Sequence, residues 1–308
     1  MYFFGSSEIA LPTLQRLIDS AHHIVAVVTS PDTKKGRGQK LSISPIKRCV
    51  IESGLTVLQP ASLKDKIVEG QIKNFNADLF IVFAYGKILP ESFLEMPRFP
   101  LNIHASLLPK YRGAAPIQWA ILNGDNLTGV TIIRMNKEID EGDILIQKEI
   151  VIDYNDDAVD VQKKLGILSA ELIDNAIASI ENNEATFTPQ NNQEASFAPK
   201  LKKSDGHIHW NTSAERIRNQ VRACVPWPGA FTYCKRKILK ILKCEISQEK
   251  TLSQCAPGRI TAIRKEGILV HTKNKLLLIK ELQFENAKRL EAWDFVQGHH
   301  LREGELFE

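Results

Sequence analysis

Asp78-Leu79-Phe80-Ile81-Val82-Phe83 is apolar at five consecutive positions behind its acidic start. A run this short, rich in β-branched and aromatic residues, reads as a β-strand. The chain on both sides alternates helical and strand patterns. Upstream, Asp65–Phe75, Ile46–Ser53 and Glu8–Asp19 read as helices, Ile24–Thr29 as a buried strand, and Tyr2–Phe4 as a short apolar start. Downstream, Leu101–His104, Thr128–Met135 and Ile144–Ile152 read as strands, and Ala158–Asn182 as a long helix. Such alternation predicts an α/β domain with a Rossmann-like, mostly parallel sheet, and in such sheets ligands collect beyond the carboxyl ends of the strands.

At 308 residues the chain exceeds one ordinary core, so two domains are expected. Residues 183–199 change to Asn, Gln, Glu, Thr and Pro without period, which is linker composition. Beyond them a helix at Ser213–Arg222 precedes five β-rich runs: Phe231–Cys234, Leu239–Cys244, Gly258–Arg264, Gly267–His271 and Lys275–Phe284. That spacing predicts a small OB-like β-barrel. The division is a catalytic domain over 1–183, a linker over 184–204 and a second domain over 205–308. The net charge of +4 is unevenly spread, with a balance of +9 from Lys200 to Glu308 and −5 before it. A basic second domain suits an anionic partner, nucleic acid first. Hydrophobic residues at 43% and charged ones at 25% exclude a disordered, collagen-like or coiled-coil chain. No apolar run has membrane-spanning length, the first residues do not read as a signal peptide, and five cysteines without a Cys-x-x-Cys pair suit a reducing cytoplasm.

Gly-x-Gly-x-x-Gly, Gly-x-x-x-x-Gly-Lys-Ser/Thr and Gly-x-Ser-x-Gly are all absent, which counts against a dinucleotide-dependent dehydrogenase, a P-loop enzyme and a serine hydrolase. What remains is Leu101-Asn102-Ile103-His104-Ala105-Ser106-Leu107-Leu108-Pro109-Lys110-Tyr111-Arg112-Gly113. Strand period puts Asn102 and His104 on one face, with Pro109 and Gly113 turning the chain beyond the carboxyl end. An amide and an imidazole side by side can donate to a developing oxyanion, and the imidazole can handle protons. Taken alone, Asn-x-His also suits a hydrogen-bonded turn. Asp140 lies in Ile139-Asp140-Glu141-Gly142-Asp143 between two strands, either as a solvated turn or as a carboxylate set against His104.

Asn102-x-His104-x-Ser106-Leu107-Leu108-Pro109-x-Tyr111-Arg112-Gly113 with Asp140-x-Gly142-Asp143 resembles the signature of the folate-dependent formyltransferases. Gly113–Ala120, Thr29-Ser30-Pro31-Asp32 with Gly36-Arg37-Gly38, Ala198-Pro199-Lys200-Leu201 and Pro226–Ala230 are similar to the branch that formylates methionyl initiator tRNA. The resemblance implies 10-formyltetrahydrofolate as donor, the methionyl α-amine as acceptor and Asn102, His104 and Asp140 as catalytic residues. It further implies folate contacts at Ser106, Leu107, Leu108 and Pro109 and at the loop of Tyr85, Gly86 and Ile88. The basic loop with Lys34, Lys35, Arg37 and Lys40 is similar to a family insertion with a tRNA role. Lys235, Arg236 and Lys237 line one hairpin of the predicted barrel and are the second expected tRNA contact. No metal, no membrane, a monomer and a cytoplasmic setting complete the expectation. A formyltransferase for a small amine (glycinamide ribonucleotide or an amino sugar nucleotide), a formyltetrahydrofolate hydrolase and a non-catalytic RNA-binding protein are the alternatives. Trp210, Trp227 and Trp293 are read as packing residues, and the cysteines as small buried hydrophobes.

Overall fold

The computed structural model describes residues 1–35, 40–249 and 255–308. In chain order the first elements are β1 (Tyr2–Gly5), α1 (Leu11–Ile18), β2 (Ala26–Val28), β3 (Thr33–Lys35), β4 (Lys40–Ser42), α2 (Pro45–Glu52) and β5 (Val57–Leu58). They are followed by α3 (Lys66–Lys73), β6 (Leu79–Phe83), α4 (Glu91–Leu94), β7 (Phe99–His104), α5 (Pro116–Asn123), β8 (Leu127–Arg134), β9 (Asp143–Val151) and α6 (Ala158–Glu181). After a polar segment come α7 (Ala214–Ala223), β10 (Phe231–Cys234), β11 (Lys237–Ile246), β12 (Ile260–Arg264), β13 (Gly267–His271), β14 (Leu276–Phe284), β15 (Leu290–Glu291) and α8 (Ala292–His299). The chain divides into two compact units, Met1–Pro116, Leu127–Val151 and Gln162–Pro199 in one, and Ile117–Asn126, Ile152–Val161 and Lys200–Glu308 in the other.

The first unit is built on a seven-stranded sheet ordered β5-β2-β1-β6-β7-β8-β9. Its strands from β5 to β7 are parallel, and β8 and β9 join antiparallel. Strand order reverses at β1, which pairs β2 on one side and β6 on the other, and in such sheets ligands bind beyond the carboxyl ends of the strands at this point. Tyr2, Phe4, Ala26, Val28, Phe80 and Val82 pack together as one core cluster. Burying each large side chain contributes about 1.5–3 kcal/mol. Local chemistry sets the helix starts: Ser44 accepts from the Lys47 amide ahead of Pro45, and Asp65 accepts from the Ile67 amide.

The polar segment after α6 is held against this sheet. Thr188 bridges Ile144 and Phe197 bridges Arg112. Phe187 stacks on Phe99 at 6.1 Å, with the Arg134 guanidinium over both rings. The first unit includes Gln162–Pro199, and the polar residues of its last stretch bond inward.

The second unit carries an antiparallel sheet ordered β10-β11-β14-β13-β12, with β15 paired to β14, consistent with the expected OB-like domain. Bulges in β11 and β12 bend the strands around Leu239, Ile241, Ile260, Ile268, Val270, Leu277 and Ile279. Helix α7 lays Ala214, Ile217 and Val221 on that core. Its Arg218, buried as well, places its guanidinium over the Tyr154 ring at 3.4 Å. The β10–β11 hairpin turns through two residues, Lys235 and Arg236, at φ 50° and 64°.

All five cysteines are free, with Cys224, Cys234 and Cys244 buried and Cys49 and Cys255 half-buried. Trp210 is buried, as a packing residue should be, whereas Trp227 and Trp293 are exposed. Among the described residues no helix is long and apolar enough to cross a membrane.

Candidate active site

β7 pairs with β6 in parallel and with β8 antiparallel, which sets His104 opposite Thr131. Period two then puts Asn102 and His104 on one face while Ile103 is buried on the other. Asp140 arrives from the loop between β8 and β9. There is no room for a side chain at Gly142, where a Cβ would lie 1.9 Å from the Arg134 carbonyl oxygen, so the loop doubles back tightly on β8. Asp140 itself takes the left-handed conformation at φ 57°.

The three polar side chains meet. Asn102 Nδ2 donates to Asp140 Oδ1 at 3.2 Å, and Asp140 Oδ2 lies 3.5 Å from His104 Nδ1. The Gly113 amide donates to the same Oδ2 at 2.8 Å. On its far side the imidazole is anchored, with Nε2 2.8 Å from the Tyr111 carbonyl oxygen. A carbonyl only accepts, so Nε2 carries a hydrogen in this pairing and Nδ1 is the nitrogen turned to the carboxylate. His104 and Asp140 side chains are 7% and 12% exposed, so their interaction is little screened by water.

The loop after β7 closes on itself. Ser106 Oγ donates to the Lys110 carbonyl at 2.6 Å and is fully buried, so it has no hydroxyl to offer a ligand. Leu108 is buried with both main-chain groups engaged, its amide on Thr131 Oγ1 and its carbonyl on Gln147 Nε2. Of the four residues expected to touch folate here, Leu107 and Pro109 keep partly exposed side chains. In the loop after β6, Tyr85 is 2% exposed and packs on Phe4, while Ile88 is 72% exposed. The Tyr85 hydroxyl is buried without a partner, and burial pushes its pKa up to about 12. Ala84 and Gly86, both at positive φ, are exposed.

Thr29–Asp32 also ends a strand. Asp32 accepts from Lys47 and Gln59, and these bonds, Lys47 first, hold its carboxyl below the ordinary range. Lys34 and Lys35 lie in β3 and Lys40 in β4, which pair as a small hairpin, and Arg37 lies outside the described residues. Lys235, Arg236 and Lys237 are exposed, with Lys235 3.2 Å from Glu305. No group of three or more His, Cys, Asp or Glu side chains among the described residues is placed to hold a metal ion.

Residues without a motif of their own complete the surroundings. Gln190 Nε2 donates to the Asp140 and Gly142 carbonyls, each at 2.8 Å. Its Oε1 accepts from Arg112 Nε at 3.1 Å and Nη2 at 2.8 Å. Arg112, 3% exposed, also binds Asn192 and Glu141. Arg112 and Glu141 sit inside the two quoted motifs, whereas sequence offered no signal for Gln190 and Asn192.

The N-terminal region, residues 1–177, matches the family model described as "Formyl transferase", and residues 200–300 match "Formyl transferase, C-terminal domain". A protein named methionyl-tRNA formyltransferase from Alkaliphilus oremlandii is 41% identical over 305 residues, covering 99% of this chain and 98% of that one. One of the same name from Geobacter metallireducens is 44% identical over 304 residues, covering 98% and 96%. Among solved structures, WlaRD, a sugar 3N-formyl transferase, superposes with a TM-score of 0.68 at 21% identity, over 93% of this chain and 98% of that one. An N-formyltransferase from Helicobacter canadensis does so at 0.67 and 20%, over 94% and 98%. These last two share the fold. The family matches in both regions, together with relatives alike along nearly their whole length, show that the chain belongs to the formyl transferase family.

Proposed function

We propose that this chain transfers a formyl group from 10-formyltetrahydrofolate to the α-amine of methionyl initiator tRNA, the reaction that prepares the tRNA for translation initiation. The observation that carries the reading is the junction of Asn102, His104 and Asp140 at the carboxyl end of β7. It is supported by full-length relatives at 38–44% identity that bear the name methionyl-tRNA formyltransferase.

Acyl transfer between two nitrogens needs donors where negative charge develops on the carbonyl oxygen, and a route for the proton of the attacking amine. Asn102 has one amide N–H on Asp140 and a second to offer the oxyanion. His104, anchored through Nε2, presents Nδ1 to the same centre: neutral it takes a proton, and charged it donates one. Asp140 balances the charge on the ring and orients Asn102. The folate would supply the formyl carbon. The exposed residues Ala84 and Gly86, with Ile88 beside them, would meet a flat heterocycle, and Leu107 and Pro109 would cover it from the loop after β7. Lys34, Lys35, Arg37 and Lys40 in one unit and Lys235, Arg236 and Lys237 in the other would meet tRNA phosphates. One chain carries the whole trio, which supports a monomer, and the substrates support a cytoplasmic setting.

The distant structural neighbours include sugar N-formyltransferases, so a small-amine acceptor is the reading to test against. Charged initiator tRNA, free methionine and glycinamide ribonucleotide are offered in parallel, with Asn102→Ala and His104→Ala beside the parent. The tRNA alone should be formylated, and each variant should lose about 10²–10³ in turnover. Transfer to the small amines, or near-parent turnover in either variant, refutes the assignment.

A further inference from the structure

We infer that Gln190 is a positioning residue, which holds the Asp140 loop in register with His104 from within a segment whose composition reads as a linker. The inference rests on Asp140 being one of the reacting trio.

Asp140 has a side chain yet sits at φ 57°, in the left-handed region that favours glycine. Such a residue persists only where its surroundings over-determine it. Here the surroundings are polar bonds of fixed sense. The Gln190 amide has two hydrogens, and both are used, on the carbonyls of Asp140 and Gly142. Its oxygen has two lone pairs, and both face donors of the Arg112 guanidinium. Turning the amide over would set hydrogens against hydrogens and oxygen against oxygens, so one orientation survives. Arg112 is held as well, since Glu141 at 2.9 Å and Asn192 at 2.7 Å engage two more of its donors in a buried site.

The same segment reaches the histidine. Ser196 Oγ accepts from the Tyr111 amide at 2.9 Å, and the Tyr111 carbonyl is the one that anchors His104 Nε2. One stretch of chain thereby fixes both sides of the 3.5 Å gap between His104 Nδ1 and Asp140 Oδ2. A shift of about 1 Å in a reacting group can cost 10²-fold in rate.

Two substitutions separate positioning from packing. Gln190→Met keeps the shape and removes every bond, while Gln190→Glu keeps the acceptor for Arg112 and loses the donors to the two carbonyls. Initial rates are measured with the full chain and charged initiator tRNA, at a temperature where every variant retains the parent's circular dichroism. Both should lower kcat 10–100-fold, with KM for tRNA and for the formyl donor within twofold of the parent. Because Gln190 acts through Asp140, Gln190→Met should cost less than twofold more in an Asp140→Ala background. Parental kcat in Gln190→Glu, or a full additional loss on top of Asp140→Ala, overturns the inference. If Asp140→Ala is itself silent, the trio falls and the inference with it, whereas a damaged Asp140→Ala beside active Gln190 variants sinks the inference alone.

Discussion

Thr131→Val exchanges one buried hydroxyl for a methyl, and the structure sets its cost. Thr131 is fully buried on β8, and its Oγ1 donates to the Ser106 carbonyl at 2.6 Å. The same oxygen accepts from the Leu108 amide at 3.1 Å and from Gln147 Nε2 at 2.8 Å. Valine fills the space, so no cavity term arises. The Leu108 amide is left buried and unpaired, which costs about 1–3 kcal/mol, and the missing bond to the Ser106 carbonyl adds about 1 kcal/mol. Gln147 keeps the Leu108 carbonyl and contributes little to the loss. The total is about 2–4 kcal/mol, measured as the change in unfolding free energy in urea. Thr131→Ser keeps the hydroxyl and should lose about 1 kcal/mol for the methyl. These bonds hold Ser106 and Leu108, the neighbours of Leu107 and Pro109, so on the proposed folate role of those two residues Thr131→Val should also raise KM for the formyl donor. A loss below about 0.5 kcal/mol in Thr131→Val, or an equal loss in both variants, would refute the reasoning.

Three further outcomes are expected. Asn274 first and then Lys275 hold the Glu215 carboxyl down at about 2, and a group depressed in the folded state adds stability above its ordinary pKa that is lost as pH falls toward the folded value. Glu215→Gln should therefore cost stability at pH 7, by no more than about 1 kcal/mol for so exposed a pair, and the gap in urea midpoint should narrow by pH 3; a gap that widens contradicts this. Burial pushes the Cys224 and Cys244 thiols up to about 12 and raises Cys234 as well, so a disulfide reagent at pH 8 should titrate at most Cys49 and Cys255 in the folded chain, and all five in denaturant. Three or more fast thiols in the folded state would argue against these burials. Lys235→Glu, Arg236→Glu and Lys237→Glu together should weaken tRNA binding and flatten its salt dependence, by about one unit of slope for each phosphate that the hairpin no longer neutralises, with folate affinity unchanged; equal tRNA affinity at low salt removes this surface from the reading.

The centre of the sheet was legible because β2 and β6 are continuous apolar runs, and Leu79–Phe83 and Ala26–Val28 lie inside the stretches read as strands. Helix α5 was not, since Pro116-Ile117-Gln118-Trp119-Ala120-Ile121-Leu122-Asn123 is apolar almost all round and shows no polar face to set a period. Two-residue strands such as Val57–Leu58 are too short for any pattern. At the site, Asn102 and His104 were readable as a pair by strand period alone, whereas their meeting with Asp140 needed the family motif. Gln190 and Arg112, 78 residues apart, carry no periodicity that links them. Composition marks residues 183–199 as solvent-loving, and only folding shows that the polar groups of Gln190, Asn192 and Ser196 are consumed by neighbouring backbone and guanidinium.

The turn at Lys235 and Arg236 has a practical consequence for anyone seeking a hardier variant. A two-residue hairpin with both φ angles positive favours Asn-Gly, which adopts that shape without the penalty that long cationic side chains incur. Thermostabilisation by consensus turn chemistry would choose this spot early, and should raise the melting temperature while stripping two positive charges from the hairpin tip. On the proposed tRNA role of this hairpin, durability and substrate grip pull against each other at this corner, and a screen scored on heat tolerance alone would then select catalysts that outlast the parent and hold their tRNA less well.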